Sequence, residues 1–216
     1  MTIALFMIPK LHYISNAETP QDHLDNIQKA CSAGIELVQL DMRHVKKAAV
    51  LKLSKDVQAI TSHFQTRLII TGHYKIAKTI KADGVFLEKT DACPTLVRKQ
   101  LFPWQSIGAS THTLQDCESL LKKEVDYIAL GPFKTFDDTQ TIALGLNGYT
   151  AIAEALTTET PLIGFGNIAT DDVKNILETG ISGIAVSQEI KADFNLIKTY
   201  HQLLNASSTQ EMRHNF

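Results

Sequence analysis

The sequence is short of cysteine, of tryptophan and of any charge imbalance, and each shortage removes a class of explanation. Three cysteines, Cys31, Cys93 and Cys117, occur in 216 residues. An odd number in no metal-like spacing argues against a ligand set and for small buried thiols in helical segments. That usage fits a reducing, cytoplasmic compartment. The formal net charge is −2, so no basic field draws the chain to nucleic acid or to an anionic bilayer. Its lysines, such as Lys46, Lys47, Lys122 and Lys123, are scattered over helical stretches as solvated faces. The opening MTIALFMIPKL is apolar but has no basic leader and no small-residue cleavage site, so no signal peptide is expected. Hydrophobic residues at 44% and charged residues at 20% suggest neither disorder nor a membrane span. There is no HExxH motif and no nucleophile elbow.

What is present is alternation. Short runs rich in β-branched residues are followed by longer stretches with helical periodicity, eight times over. The runs are 11–15, 35–41, 67–71, 84–88, 106–111, 126–132, 161–166 and 183–187. Thr19-Pro20 is a helix start and Gly34 a helix stop. Most runs are apolar on both sides of the pleat, as in a parallel sheet covered by helices. The pattern predicts an α/β protein, a single (β/α)8 TIM barrel over residues 1–206 with a flexible tail at 207–216. An open doubly wound sheet would want a glycine-rich turn after the first strand; the sequence there is SNAETP.

A barrel of this kind carries its chemistry at the C-terminal ends of its strands. That rule selects Gln39, Asp41 and Arg43; Thr71 and His73; Glu88 and Asp91; Ser110 and His112; the stretch 132–144; Gly164, Gly166 and Asn167; and Ser187, Gln188 and Glu189. The segment 164–167, running into a helix after Thr170, reads as a phosphate cradle, with donors from Ser187 and Gln188 beside it. Its alternative is a tight turn that uses glycine for conformation alone. His44, His73 and His112 have ordinary loop or helix-start explanations, and Glu88 and Asp91 read first as solvated loop carboxylates. The loop KTFDDTQTIALGL after the sixth run is a candidate lid, acidic at Asp137 and Asp138.

In order and with fitting spacing, GIELVQLDMR, KADGVFLEKTD, IGASTHT, DYIALGPF, LGLNG, PLIGFGNI and GISGIAVSQEI resemble the blocks of the thiamine phosphate synthase family. The resemblance implies a transferase of thiamine biosynthesis. It joins a pyrimidine pyrophosphate to a thiazole phosphate through a stabilised pyrimidine cation, with Mg²⁺ and release of pyrophosphate. It also implies roles for matched positions: Ser110 and Thr135 in catalysis, and Asp91 as the metal aspartate. Gln39, Arg43, Gly164, Gly166, Asn167, Ser187 and Gln188 would hold substrate or phosphate. Its ligands would be small phosphorylated thiazole or thiamine molecules, with homo-oligomers left open and no nucleic acid or membrane partner.

The chain departs from the family pattern in a consistent direction. Asp41 stands for the family's arginine, Thr71-Gly72 for Asn-Asp, Gly166-Asn167 for Gly-Gly and Gln188 for a serine. Arg43 stands for a lysine, and Asp137 and Asp138 fall near the lid's second threonine and lysine. The expectation is therefore a synthase-like protein that binds thiazole phosphate or thiamine phosphate with synthase activity weakened or lost. The alternatives are a thiazole tautomerase-like isomerase, whose catalytic histidine position is Pro132 here, and a non-catalytic phosphate-ligand-binding paralogue.

Overall fold

The strands form on short branched apolar runs, and two of the helices start on a capping threonine. In the computed structural model, which describes residues 7–43, 45–135 and 142–211, Thr19 caps the first helix by accepting the N–H of Asp22 (3.1 Å). Pro20 opens that helix, where its fixed φ is already helical. Thr113 caps the fifth helix in the same way through Asp116 N–H (3.1 Å).

The described residues form strands β1 (Leu11–Asn16), β2 (Leu37–Asp41), β3 (Arg67–Thr71), β4 (Gly84–Leu87), β5 (Ser106–Thr111), β6 (Tyr127–Leu130), β7 (Leu162–Phe165) and β8 (Gly183–Val186). Between and after them lie α1 (Pro20–Ser32), α2 (Lys47–His63), α3 (Tyr74–Ile80), α4 (Pro94–Arg98), α5 (Leu114–Leu121), α6 (Gly145–Ala155), α7 (Val173–Glu178), α8 (Gln188–Ala192) and α9 (Leu196–Glu211). The strands are parallel and in sequence order, and β8 pairs back onto β1 with Leu11 opposite Ile184 and Tyr13 opposite Val186. This closure excludes the open doubly wound sheet.

Alternation along each strand makes two cores. In β2, Val38 and Leu40 pack outward against the helices, while Leu37 points into the barrel. The interior is filled by Leu37, Ile69, Phe86, Tyr127, Ala129, Ile163 and Ala185. Burying such a side chain contributes roughly 1.5–3 kcal/mol. Gly108 is a packing requirement of this interior: a Cβ there would overlap the Tyr127 ring.

Two expectations need correction. β6 stops at Leu130 instead of Pro132, because proline has no N–H for the ladder. Cys93 is exposed just ahead of α4 and is no buried helical thiol, unlike Cys31 and Cys117. α9 runs through Glu211. Among the described residues, no helix is long and apolar enough to cross a membrane.

Candidate functional site

The C-terminal ends of the strands enclose two adjoining cavities. The central one, about 110 Å³, is lined by Gln39, Asp41, Arg43, Glu88 and Ser110 above an apolar floor that includes Ile14, Phe86, Ala129, Phe165 and Ala185. The second, about 80 Å³, is lined by Gly166, Asn167, Ser187, Gln188 and Glu189 and shares Ile14, Phe165 and Ala185 with the first. Gln39, Ser110 and the 164–167 turn therefore open on one mouth. The strand pleat accounts for this: alternate residues of β2 and β5 face inward, and the last inward positions carry the polar groups.

Electrostatically, the mouth is ruled by an ion-pair network that joins the ends of β2 and β4. Arg43 Nε donates to both oxygens of Asp41 (2.9 Å each), and Nη2 also donates to Asp41 Oδ2. Nη1 lies 2.9 Å from Glu88 Oε1. Hydrogen bonding to Asp41 holds the Arg43 pKa above its ordinary value. Asp41 is fixed further by the Arg43 backbone N–H (3.1 Å). Glu88 is thus a structural partner of Arg43 and no idle loop carboxylate. Gln39, buried beside this network, donates from Nε2 to Thr71 Oγ1 (3.3 Å).

The phosphate-cradle residues divide by what each does. Gly164 does not line either cavity; a Cβ there would press on the Tyr149 ring at 3.1 Å. Tyr149 donates to Leu130 O (2.8 Å), so Gly164 makes room for a pin between α6 and the sheet. Gly166 has φ +102°, and a Cβ there would come within 2.6 Å of Pro132 Cβ. Its need for glycine is met by chain packing as well as by conformation. Asn167, at φ 47°, donates from Nδ2 to Thr135 O (3.1 Å). Ser187 donates to Ile14 O (2.8 Å) and so ties β8 to β1.

At the helix start after Thr170, expected to offer free amides, the Ala169 amide is already taken. Asp172 Oδ2 accepts the Ala169 N–H (3.0 Å) and pairs with Lys134 Nζ (2.6 Å). The remaining donors belong to the 166–167 turn and to the Ser187-Gln188 corner. Thr135 reaches this region through its carbonyl. His44, Asp137 and Asp138 lie outside the described residues, and so does the middle of the expected lid.

The Mg²⁺ implied by the resemblance meets a poor donor set. Asp91 Oδ2 accepts the Glu88 N–H (2.8 Å), Glu88 is paired with Arg43, and position 72 is glycine, against which Asp91 rests. Among the described residues no group of three or more His, Cys, Asp or Glu side chains converges. Mg²⁺ is usually held by one or two carboxylates together with substrate phosphates, and here Asp91 is engaged by a backbone N–H and Glu88 by Arg43, so the residues present fit it poorly.

Residues 11–190 match the family model for thiamine monophosphate synthase. This chain belongs to the thiamine monophosphate synthase family. It is 31% identical over 202 residues to a thiamine-phosphate synthase of Flavobacterium psychrophilum, covering 91% of this chain and 98% of that protein. It is also 31% identical over 186 residues to one of Flavobacterium johnsoniae, covering 84% and 88%. A thiamine phosphate pyrophosphorylase from Pyrococcus furiosus superposes with a TM-score of 0.77 at 23% identity, covering 90% of this chain and 96% of that one. A 3-hexulose-6-phosphate synthase superposes at 0.67 with 12% identity, which speaks to the barrel alone.

One residue of this family member escaped sequence reasoning. His12 is buried in the barrel interior beneath the central cavity, and burial lowers its pKa to about 4. It is therefore neutral at pH 7 and donates from Nε2 to Pro9 O (2.9 Å), which leaves Nδ1 without a partner. The signal was available, since His12 shares the inward pleat of β1 with Ile14.

Proposed function

We propose that this family member binds thiazole phosphate or thiamine phosphate at the C-terminal mouth of the barrel, with the synthase reaction weakened or lost. The observation that carries this reading is the state of Arg43. All three donor nitrogens of its guanidinium face carboxylates, two of them on Asp41 and one on Glu88. A pyrophosphate group would have to displace Asp41 from an arginine it already neutralises, inside a mouth that also holds Glu88 and Asp91.

Charge-assisted contacts are worth about 1.5–3 kcal/mol each. The missing arginine at position 41, the missing carboxylate at position 72 and the engaged Arg43 together slow the leaving-group step by at least roughly three orders of magnitude. Ser110 and Gln39 line the central cavity, and the 166–167 turn with Ser187-Gln188 lines the adjoining one. These retained groups support binding more than leaving-group loss. The tautomerase reading has less support, because Pro132 follows Gly131 and has no side chain able to move a proton.

Turnover with both substrates, measured side by side with the Flavobacterium psychrophilum relative, tests the reading. The expected rate is at least about a thousandfold lower than the relative's, with thiazole phosphate still bound in calorimetry. Equal rates would overturn it.

A further inference from the structure

We infer that His12 is a specificity-determining residue at the floor of the central cavity, where its Nδ1 accepts a hydrogen bond from an uncharged amino group on the ligand's ring. This rests on the binding mode proposed above and specifies which ring substituent the site selects.

His12 is the one polar side chain in an otherwise apolar floor, beside Ile14, Phe86, Ala129, Phe165 and Ala185. A fully buried imidazole is costly there unless both of its nitrogens find partners. One of them does. Nε2 donates to Pro9 O (2.9 Å), toward the N-terminal end of β1 and away from the mouth. A neutral imidazole carries a single ring hydrogen, so this bond leaves Nδ1 as a lone-pair acceptor. Nδ1 has no partner in the protein. Tyr127 supports the ring in this pose, meeting it edge to face with centroids 5.3 Å apart and planes at 88°.

Two kinds of occupant could satisfy Nδ1. A trapped water wants about three polar partners. Among the described residues, the other unpartnered buried atom of the barrel interior is the Tyr127 hydroxyl, set among Leu37, Ile69, Phe86 and Ala129. Two partners at most hold a water poorly. A ligand already seated in the cavity needs only one donor. That donor is uncharged, because an apolar floor gives a desolvated cation no compensation. The ring of thiazole phosphate has no N–H or O–H to give, whereas an aminopyrimidine has an exocyclic N–H. Of the two ligands that the proposed binding mode admits, thiamine phosphate is therefore the one that completes His12.

Calorimetry at pH 7 tests this with thiamine phosphate and its deamino counterpart, which has hydrogen in place of the pyrimidine amino group. Native protein should bind the amino form at least about fivefold more tightly, the size of one neutral hydrogen bond. His12→Phe should abolish that preference. In native protein with ¹⁵N-labelled histidine, the amino form should shift the His12 Nδ1 resonance and the deamino form should not, a readout that a purely structural role would leave unmoved. The native-protein measurements stand even if the variant folds poorly. Equal affinity for the two forms, as a water already held on Nδ1 would give, or a preference that survives His12→Phe, would overturn the inference alone while thiazole phosphate still binds. Binding of none of the three ligands would overturn the proposed binding mode and this inference together.

Discussion

Asp41 stands where the family pattern has an arginine, and its carboxylate engages Nε and Nη2 of the Arg43 guanidinium. Replacing it with asparagine keeps the shape and removes the charge, which releases Arg43 Nε and Nη2 toward the mouth. Asp41→Asn should therefore raise affinity for inorganic pyrophosphate by about tenfold, the equivalent of one modest charge-assisted contact of about 1.4 kcal/mol. Titration calorimetry reads this directly, and an unchanged affinity would mean that Arg43 does not address the anion. At His12 the consequence is for stability. Its folded pKa, about 4, lies below its unfolded value of 6.5. Above pH 6.5 both states are neutral there and full stability is present; as pH falls toward 4 the unfolded chain takes up a proton that the folded barrel refuses. The loss is on the order of 3 kcal/mol, with the buried His23 acting in the same direction. Urea unfolding at pH 7 and pH 4.5 should show a smaller pH dependence in His12→Phe than in native protein; an identical dependence would contradict this.

At the scale of elements, the strands were legible because their apolar runs are short, branched and bounded by breakers. β3 and β5 were delimited to the residue, while β2 and β6 were drawn too long where flanking apolar residues anchor loops instead of pairing. Ile35, for example, donates its N–H to Ala30 O at the end of α1. Thr113 caps α5, and Thr113→Ala should cost about 1 kcal/mol in a denaturant melt. Gly108 was read only as part of a family block, since nothing local announces that Tyr127 will fill the space beside it. Gly108→Ala should destabilise the barrel by about 1–3 kcal/mol, seen as a lower urea midpoint with an unchanged slope. A variant as stable as native would show that β5 can shift away from Tyr127.

For the whole molecule, the closed barrel follows from eight alternating units and from the β1–β8 pairing, and it brings Gln39, Ser110 and the 166–167 turn to one mouth. The site was less legible than the fold because its meaning lies in contacts between distant residues. The engagement of Arg43 by Glu88, 45 positions away, is invisible in the order of residues, as is the use of Asp172 to take the Ala169 amide beside the cradle. Departures at single family positions implied an altered clamp; the geometry adds that Arg43 is held between Asp41 and Glu88. The most direct measurement is a calorimetric comparison of native protein with thiazole phosphate and with pyrophosphate at equal ionic strength. The account predicts saturable one-site binding of thiazole phosphate and at least about tenfold weaker binding of pyrophosphate. Pyrophosphate binding as tight as thiazole phosphate binding would contradict it.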